Sequence, residues 1–106
     1  MTPTSTLPPA RGLSLVPAAQ GIDVAPIGQE IGFGRHRAGA VAAVTRVLGR
    51  APDAGTAPPG CALAAVEWPR DGLTLYFEGR DARFIGWRAG DGRTFPGEPR
   101  SAGRTC

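Results

Sequence analysis

The one histidine of this 106-residue chain stands in Gly32-Phe33-Gly34-Arg35-His36-Arg37, a glycine-punctuated stretch that runs into a helical pattern. Phosphate or nucleophile chemistry has to be sought there first. A dinucleotide-binding turn needs a third glycine where Arg37 stands and a βαβ unit behind it; a Walker A loop needs Gly-Lys-Ser/Thr, and the chain has no lysine. Both are excluded. A simpler anion site remains: with Gly34 as N-cap, the free N–H groups of the first turn, His36 and the guanidinium groups of Arg35 and Arg37 converge on a carboxylate or phosphate. In the competing reading these arginines turn to solvent or pair with Glu30, and salt screens their repulsion from the positive end of the helix dipole.

Other constellations lack parts. His36 has no second histidine and no cysteine at a ligand-like offset, so neither a zinc site nor a His-centred triad assembles, and Ser5, Ser14 and Ser101 lie in turn-like or terminal contexts. Glu67 and Glu78, on neighbouring strands, have the residue types for paired-carboxylate acid/base work. Arg70, Arg80 and Arg83 beside them favour cross-strand ion pairs instead. The expectation is therefore a non-enzyme with no catalytic residues, no cofactor and no metal. Cys61 and Cys106 fit no metal-ligand spacing. Bridged, they close a loop of about 46 residues, worth roughly 4 kcal/mol on the chain-entropy account; unbridged, they are one buried small hydrophobe and one terminal thiol.

Trp68, Tyr76, Phe77, Phe84 and Trp87 interleave with Arg70, Arg80, Arg83 and Arg88. Aromatics and arginines on an exposed sheet bind single-stranded nucleic acid by stacking and phosphate contact. A core under the helix competes for the same rings. That leaves Tyr76 and Trp87, flanked by Arg83 and Arg88, as the candidate partner-binding patch. The arginine excess is weak support for nucleic acid: 12 Arg with no Lys and no Asn is the mark of GC-rich coding, and the net charge is only +3.

The elements that must carry these residues are few. Gly and Pro fill 16 and 11 positions, against 21 for Leu, Ile, Val and Phe together, so the core is small. Residues 1–20 read as a flexible Pro-rich leader with neither the basic nor the apolar region of a signal peptide. No run of 18 apolar residues supplies a membrane-spanning helix. From Ala38 to Leu48, Val41, Val44 and Leu48 make one helical stripe; Gly49 supplies the left-handed stop and Pro52 blocks continuation. The period then changes to two: a strand ending at Trp68, a turn at Asp71-Gly72, a strand with Leu73, Leu75 and Phe77 on one face, and a third from Arg83 to Arg88. Pro26 limits Ile22-Asp23-Val24 to an edge or loop. The expected fold is α+β, with one main helix packed on a three- to four-stranded antiparallel meander over residues 21–89, and a turn-rich tail over 90–106.

Taken together, Ile31-Gly32-Phe33-Gly34, Val47-Leu48-Gly49-Arg50-Ala51-Pro52, Cys61, Val66-Glu67-Trp68, Leu73-Thr74-Leu75-Tyr76-Phe77 and Phe84-Ile85-Gly86-Trp87 resemble a bacterial exported or lipoprotein-associated domain of uncharacterised role. More distantly, the pattern is similar to the SmpA/OmlA outer-membrane assembly lipoproteins and the β-lactamase-inhibitor-like domains. The resemblance implies a periplasmic or secreted, non-catalytic domain whose partner is another protein of the cell envelope. It also implies a chain that normally continues, with residues 96–106 as the tail of a truncated or frameshifted product. The competing expectation is a cytoplasmic Arg-rich module binding nucleic acid or anions.

Overall fold

The computed structural model describes residues 12–55, 59–79 and 82–106. In chain order the elements are β1 (Ser14–Ala18), β2 (Gly21–Ala25), β3 (Gln29–Gly32), α1 (Arg37–Leu48), β4 (Asp53–Ala54), β5 (Ala64–Trp68), β6 (Leu73–Glu78), β7 (Arg83–Ala89) and β8 (Arg100–Gly103). They form two antiparallel sheets, β1-β2-β3 and β4-β5-β6-β7-β8. This mostly β architecture corrects the expected α+β fold of a main helix on a meander. The meander exists as β5, β6 and β7, but α1 cannot cover it: only Ala40 and Val44 of the helix are fully buried. The first sheet brings Leu15, Ile22, Val24 and Ile31 into the same core as Val66, Trp68, Leu75, Phe77, Phe84 and Trp87.

The first sheet follows from alternation. Leu15 lies opposite Val24, and Ile22 opposite Ile31, so four apolar side chains share one face while Val16, Asp23 and Glu30 line up on the other. Pro17 is tolerated because β1 is an edge strand. Pro26 does not demote β2, which is the central strand; the proline falls one residue past its end, where a missing donor costs the ladder nothing. β1 thus lies inside the segment expected as leader, of which residues 1–11 fall outside the described part.

α1 begins two residues later than a Gly34 cap implies. His36 is the N-cap, with extended backbone (φ −63°, ψ 143°) and Nδ1 accepting the Ala38 N–H at 3.3 Å. At the other end Gly49 takes φ 79° and donates its N–H to the Thr45 carbonyl at 2.7 Å, the left-handed stop expected there.

In β6, Leu73, Leu75 and Phe77 are buried in the main core, as the alternation predicts. β7 breaks strict alternation, because Phe84 and Trp87 are three residues apart and both turn inward. A bulge resolves this: Tyr76 pairs with Gly86 and Phe77 with Phe84, leaving Ile85 as the extra residue. Ile85 and Tyr76 turn to the opposite face, where they pack with Leu63, Ala65 and Cys61 in a second apolar cluster. There Cys61 stands at disulfide distance from Cys106, Cα atoms 5.7 Å apart, the placement that the bridged alternative requires. Residues 90–106 are therefore part of the fold: they supply buried Phe95, strand β8 and Cys106. Arg104 passes so close over Gly86 that a Cβ there would meet its backbone.

The turn between β5 and β6 is anchored by the one buried charged side chain among the described residues, Asp71. Its carboxylate accepts Arg50 Nη1 at 2.9 and 3.1 Å and the Thr94 hydroxyl, tying the end of α1 to the 91–95 loop. Trp68 Nε1 donates to the Arg50 carbonyl at 2.9 Å in the same corner.

Candidate functional site

The loop expected to hold an anion is occupied by the fold itself. Gly34 N–H donates to the Phe84 carbonyl (2.7 Å), Arg35 N–H to Gly32 (3.2 Å) and Arg37 N–H to Ala82 (2.8 Å), while the Ala38 N–H is taken by His36. Two of these four bonds splice the β3–α1 connection onto the start of β7, and the other two close within the connection itself. The side chains of Arg35, His36 and Arg37 are exposed at this corner and the two arginines offer charge, but the Gly34, Arg35 and Arg37 amides that were to orient an anion are bonded internally.

The expected partner patch is dispersed. Tyr76 is 6% exposed, beneath the segments carrying Cys61 and Leu63, and Trp87 is 4% exposed in the main core, its Nε1 donating to the Ala18 carbonyl at 2.8 Å. Both rings are large apolar surfaces with one polar atom, and this fold buries the rings on opposite faces of the same sheet. Arg83 and Arg88 are exposed but apart: Arg83 Nη1 reaches the Gly34 carbonyl at 3.2 Å, and Arg88 sits in a cross-strand row between Thr74 and Ser101. Trp68, Phe77 and Phe84 are also buried, so the described residues present none of these rings as a stacking platform for bases. Glu67 and Glu78 do not converge. Glu67 pairs with Thr74, four residues before Glu78 along β6, a separation of roughly 13 Å at strand rise. Glu78 instead pairs with Arg104.

What the structure does build is a groove of ≈ 580 Å³ between the N-terminal half of α1 and the β4 edge of the larger sheet. One wall carries Ala38, Val41 and Ala42 from the helix, the other Pro52, Asp53 and Ala54, with Val66 of β5 also lining it. Its surface is predominantly apolar. His36 and Arg37 stand at the helix end, and the Arg37 guanidinium lies 5.3 Å from the centroid of the Phe77 ring. β4 exists because the chain leaving α1 doubles back through Pro52 and pairs Asp53 with Glu67 and Ala54 with Val66, forming an edge strand of two residues.

Sequence reasoning missed this groove. Its only local signal was Ala38 and Ala42, small residues one helical turn apart on the side away from the core. Among the described residues no group of three or more His, Cys, Asp and Glu can hold a metal, and no helix is long and apolar enough to cross a membrane. No protein-family model, curated protein or solved structure matches the chain.

Proposed function

We propose that this chain is a non-catalytic protein-binding domain of the cell envelope or the extracellular space, and that its contact surface is the groove between α1 and β4. The groove carries the reading: an apolar cleft bounded by an edge strand suits a segment of another protein. The disulfide-distance pair of Cys61 and Cys106 fits an oxidising compartment, and the resemblance to exported domains supports a partner in the envelope. The nucleic-acid alternative loses its support with the burial of the aromatic rings, and the anion alternative with the internal use of the helix-start amides.

Peptide-display selection against the whole disulfide-bonded protein tests this, with Ala42→Glu as the control. Ala42 is exposed on α1, so glutamate is tolerated by the helix while obstructing the groove wall. Selected peptides should bind the parent protein and lose at least about tenfold in affinity on Ala42→Glu, a difference of about 1.4 kcal/mol, with the thermal midpoint unchanged. Peptides that bind both proteins equally refute the groove as the contact surface.

A further inference from the structure

We infer that the groove accepts an extended peptide that adds to the free edge of β4 and sets a carboxylate against Arg37; this rests on the groove being the contact surface. The backbone shows which groups are available. Gly55 N–H donates to the Ala65 carbonyl at 3.0 Å, which makes Gly55 and Ala65 a hydrogen-bonded pair. In an antiparallel ladder the next pair, Ala54 and Val66, is then non-hydrogen-bonded, so the N–H and C=O of Ala54 point away from β5. No described strand takes them, because β4 is the end of its sheet. Pro52, two residues earlier, contributes a carbonyl and no donor.

Two residues of edge strand hold a peptide weakly, so the opposite wall must contribute. Ala38 and Ala42 carry nothing beyond Cβ, which lets a backbone approach the helix, while Val41 and Val66 supply apolar contact for alternate side chains of the added strand. Charge selects among such peptides. Arg37 occupies the first turn of α1, which contains no acidic residue, and the ion pairs among the described residues engage Arg50 and Arg104 rather than Arg37. Its guanidinium is held over Phe77 with its donors available for a two-point bond to a carboxylate. Asp53 on the β4 wall repels a second acid there. The recognised segment is therefore extended, apolar at alternate positions and acidic at the end that meets Arg37.

The probes are a fluorescein-labelled hexapeptide of alternating valine and threonine ending in glutamate, and the same peptide ending in lysine, both amidated. Binding to the full chain is read by anisotropy and by amide chemical shifts. The glutamate peptide should bind at least tenfold tighter than the lysine peptide, moving amides of residues 37–42 and 53–55. Arg37→Glu should reverse the preference; it places an acid where the helix dipole favours one, so the fold is kept. Ala54→Pro should abolish binding of both peptides, since it removes an N–H that β5 does not use.

Equal affinity for the two peptides, or no reversal with Arg37→Glu, overturns the inference. Groove-mapped binding that prefers lysine overturns the acidic specificity and leaves the groove as the contact surface. Binding by neither peptide at millimolar concentration, while display-selected peptides remain sensitive to Ala42→Glu, also overturns the inference alone; insensitivity of those peptides overturns both readings. Concentration-dependent self-association in sedimentation, lost on Ala42→Glu, assigns the groove to a second copy of the chain and overturns it as well.

Discussion

Truncating Asp71 to alanine should cost about 2–3 kcal/mol, and the figure can be built from its surroundings. The carboxylate is 4% exposed and accepts three hydrogen bonds, two from Arg50 Nη1 and one from Thr94 Oγ1. A hydrogen bond to a charged group is worth about 1.5–3 kcal/mol. The Arg50 share must be discounted, because that side chain is 45% exposed and is rehydrated once its partner is gone; exposed ion pairs contribute about 0–1 kcal/mol. The Thr94 bond supplies most of the remainder. For a domain of this size each kcal/mol moves the thermal midpoint by roughly 4–8 °C, so a fall of about 10–20 °C is expected. Urea unfolding followed by tryptophan fluorescence is the assay, since Trp68 is 1% exposed and bonded to the Arg50 carbonyl in the same corner. A cycle with Arg50→Ala completes it. The double variant should cost little more than Asp71→Ala alone, giving a coupling of about 1 kcal/mol. A loss below about 0.5 kcal/mol, or strictly additive single variants, refutes the reasoning. The backbone bonds from Phe95 N–H to Asp71 and from Arg93 N–H to Arg70 would then suffice to hold the 91–95 loop.

Two further perturbations test the second face of the larger sheet. Replacing Cys61 and Cys106 by serine opens a loop whose ends are 45 residues apart in sequence, and should lower stability by about 4 kcal/mol on the chain-entropy account. Reduction of the parent protein should reproduce the change, and a loss under about 1 kcal/mol means the tail is held without the bridge. Gly86→Ala drives a Cβ into the Arg104 backbone, with an overpacking cost of about 1–3 kcal/mol. The Arg104 amide, bonded to the Ile85 carbonyl at 2.8 Å, should lose protection in hydrogen exchange. Unchanged protection there contradicts the close approach.

Local pattern carried the reading wherever one element satisfied its own periodicity. The Gly49 stop, the Asp71-Gly72 turn and the inward face of β6 follow from the conformational freedom of glycine and the two-residue period of a strand. The reading failed where a segment is stabilised by something remote. β1 and β8 are short and proline- or glycine-flanked, and they resemble loops until a partner strand takes up their backbone groups. Tyr76 alternates onto the face opposite the main core, which normally means solvent; it is buried because Leu63 and Cys61 fold back across it. The groove was equally hidden, since its walls are residues 38–42 and 52–54, joined only when the chain reverses after Gly49.

The sequence by itself determined the helix, its C-terminal stop, the central hairpin, the absence of a phosphate-loop signature and the possibility of a cysteine bridge, because each depends on residue types at short, fixed spacings. Tertiary structure alone decided which side chains are buried and where a groove is left open. A helix with so little apolar side chain cannot cover a sheet, so a second sheet was recruited, the aromatic rings were drawn inward to fill the space between, and a small-walled cleft was left beside β4. Burial is a property of the whole packed chain, and no local pattern specifies what will lie on the other side of a strand.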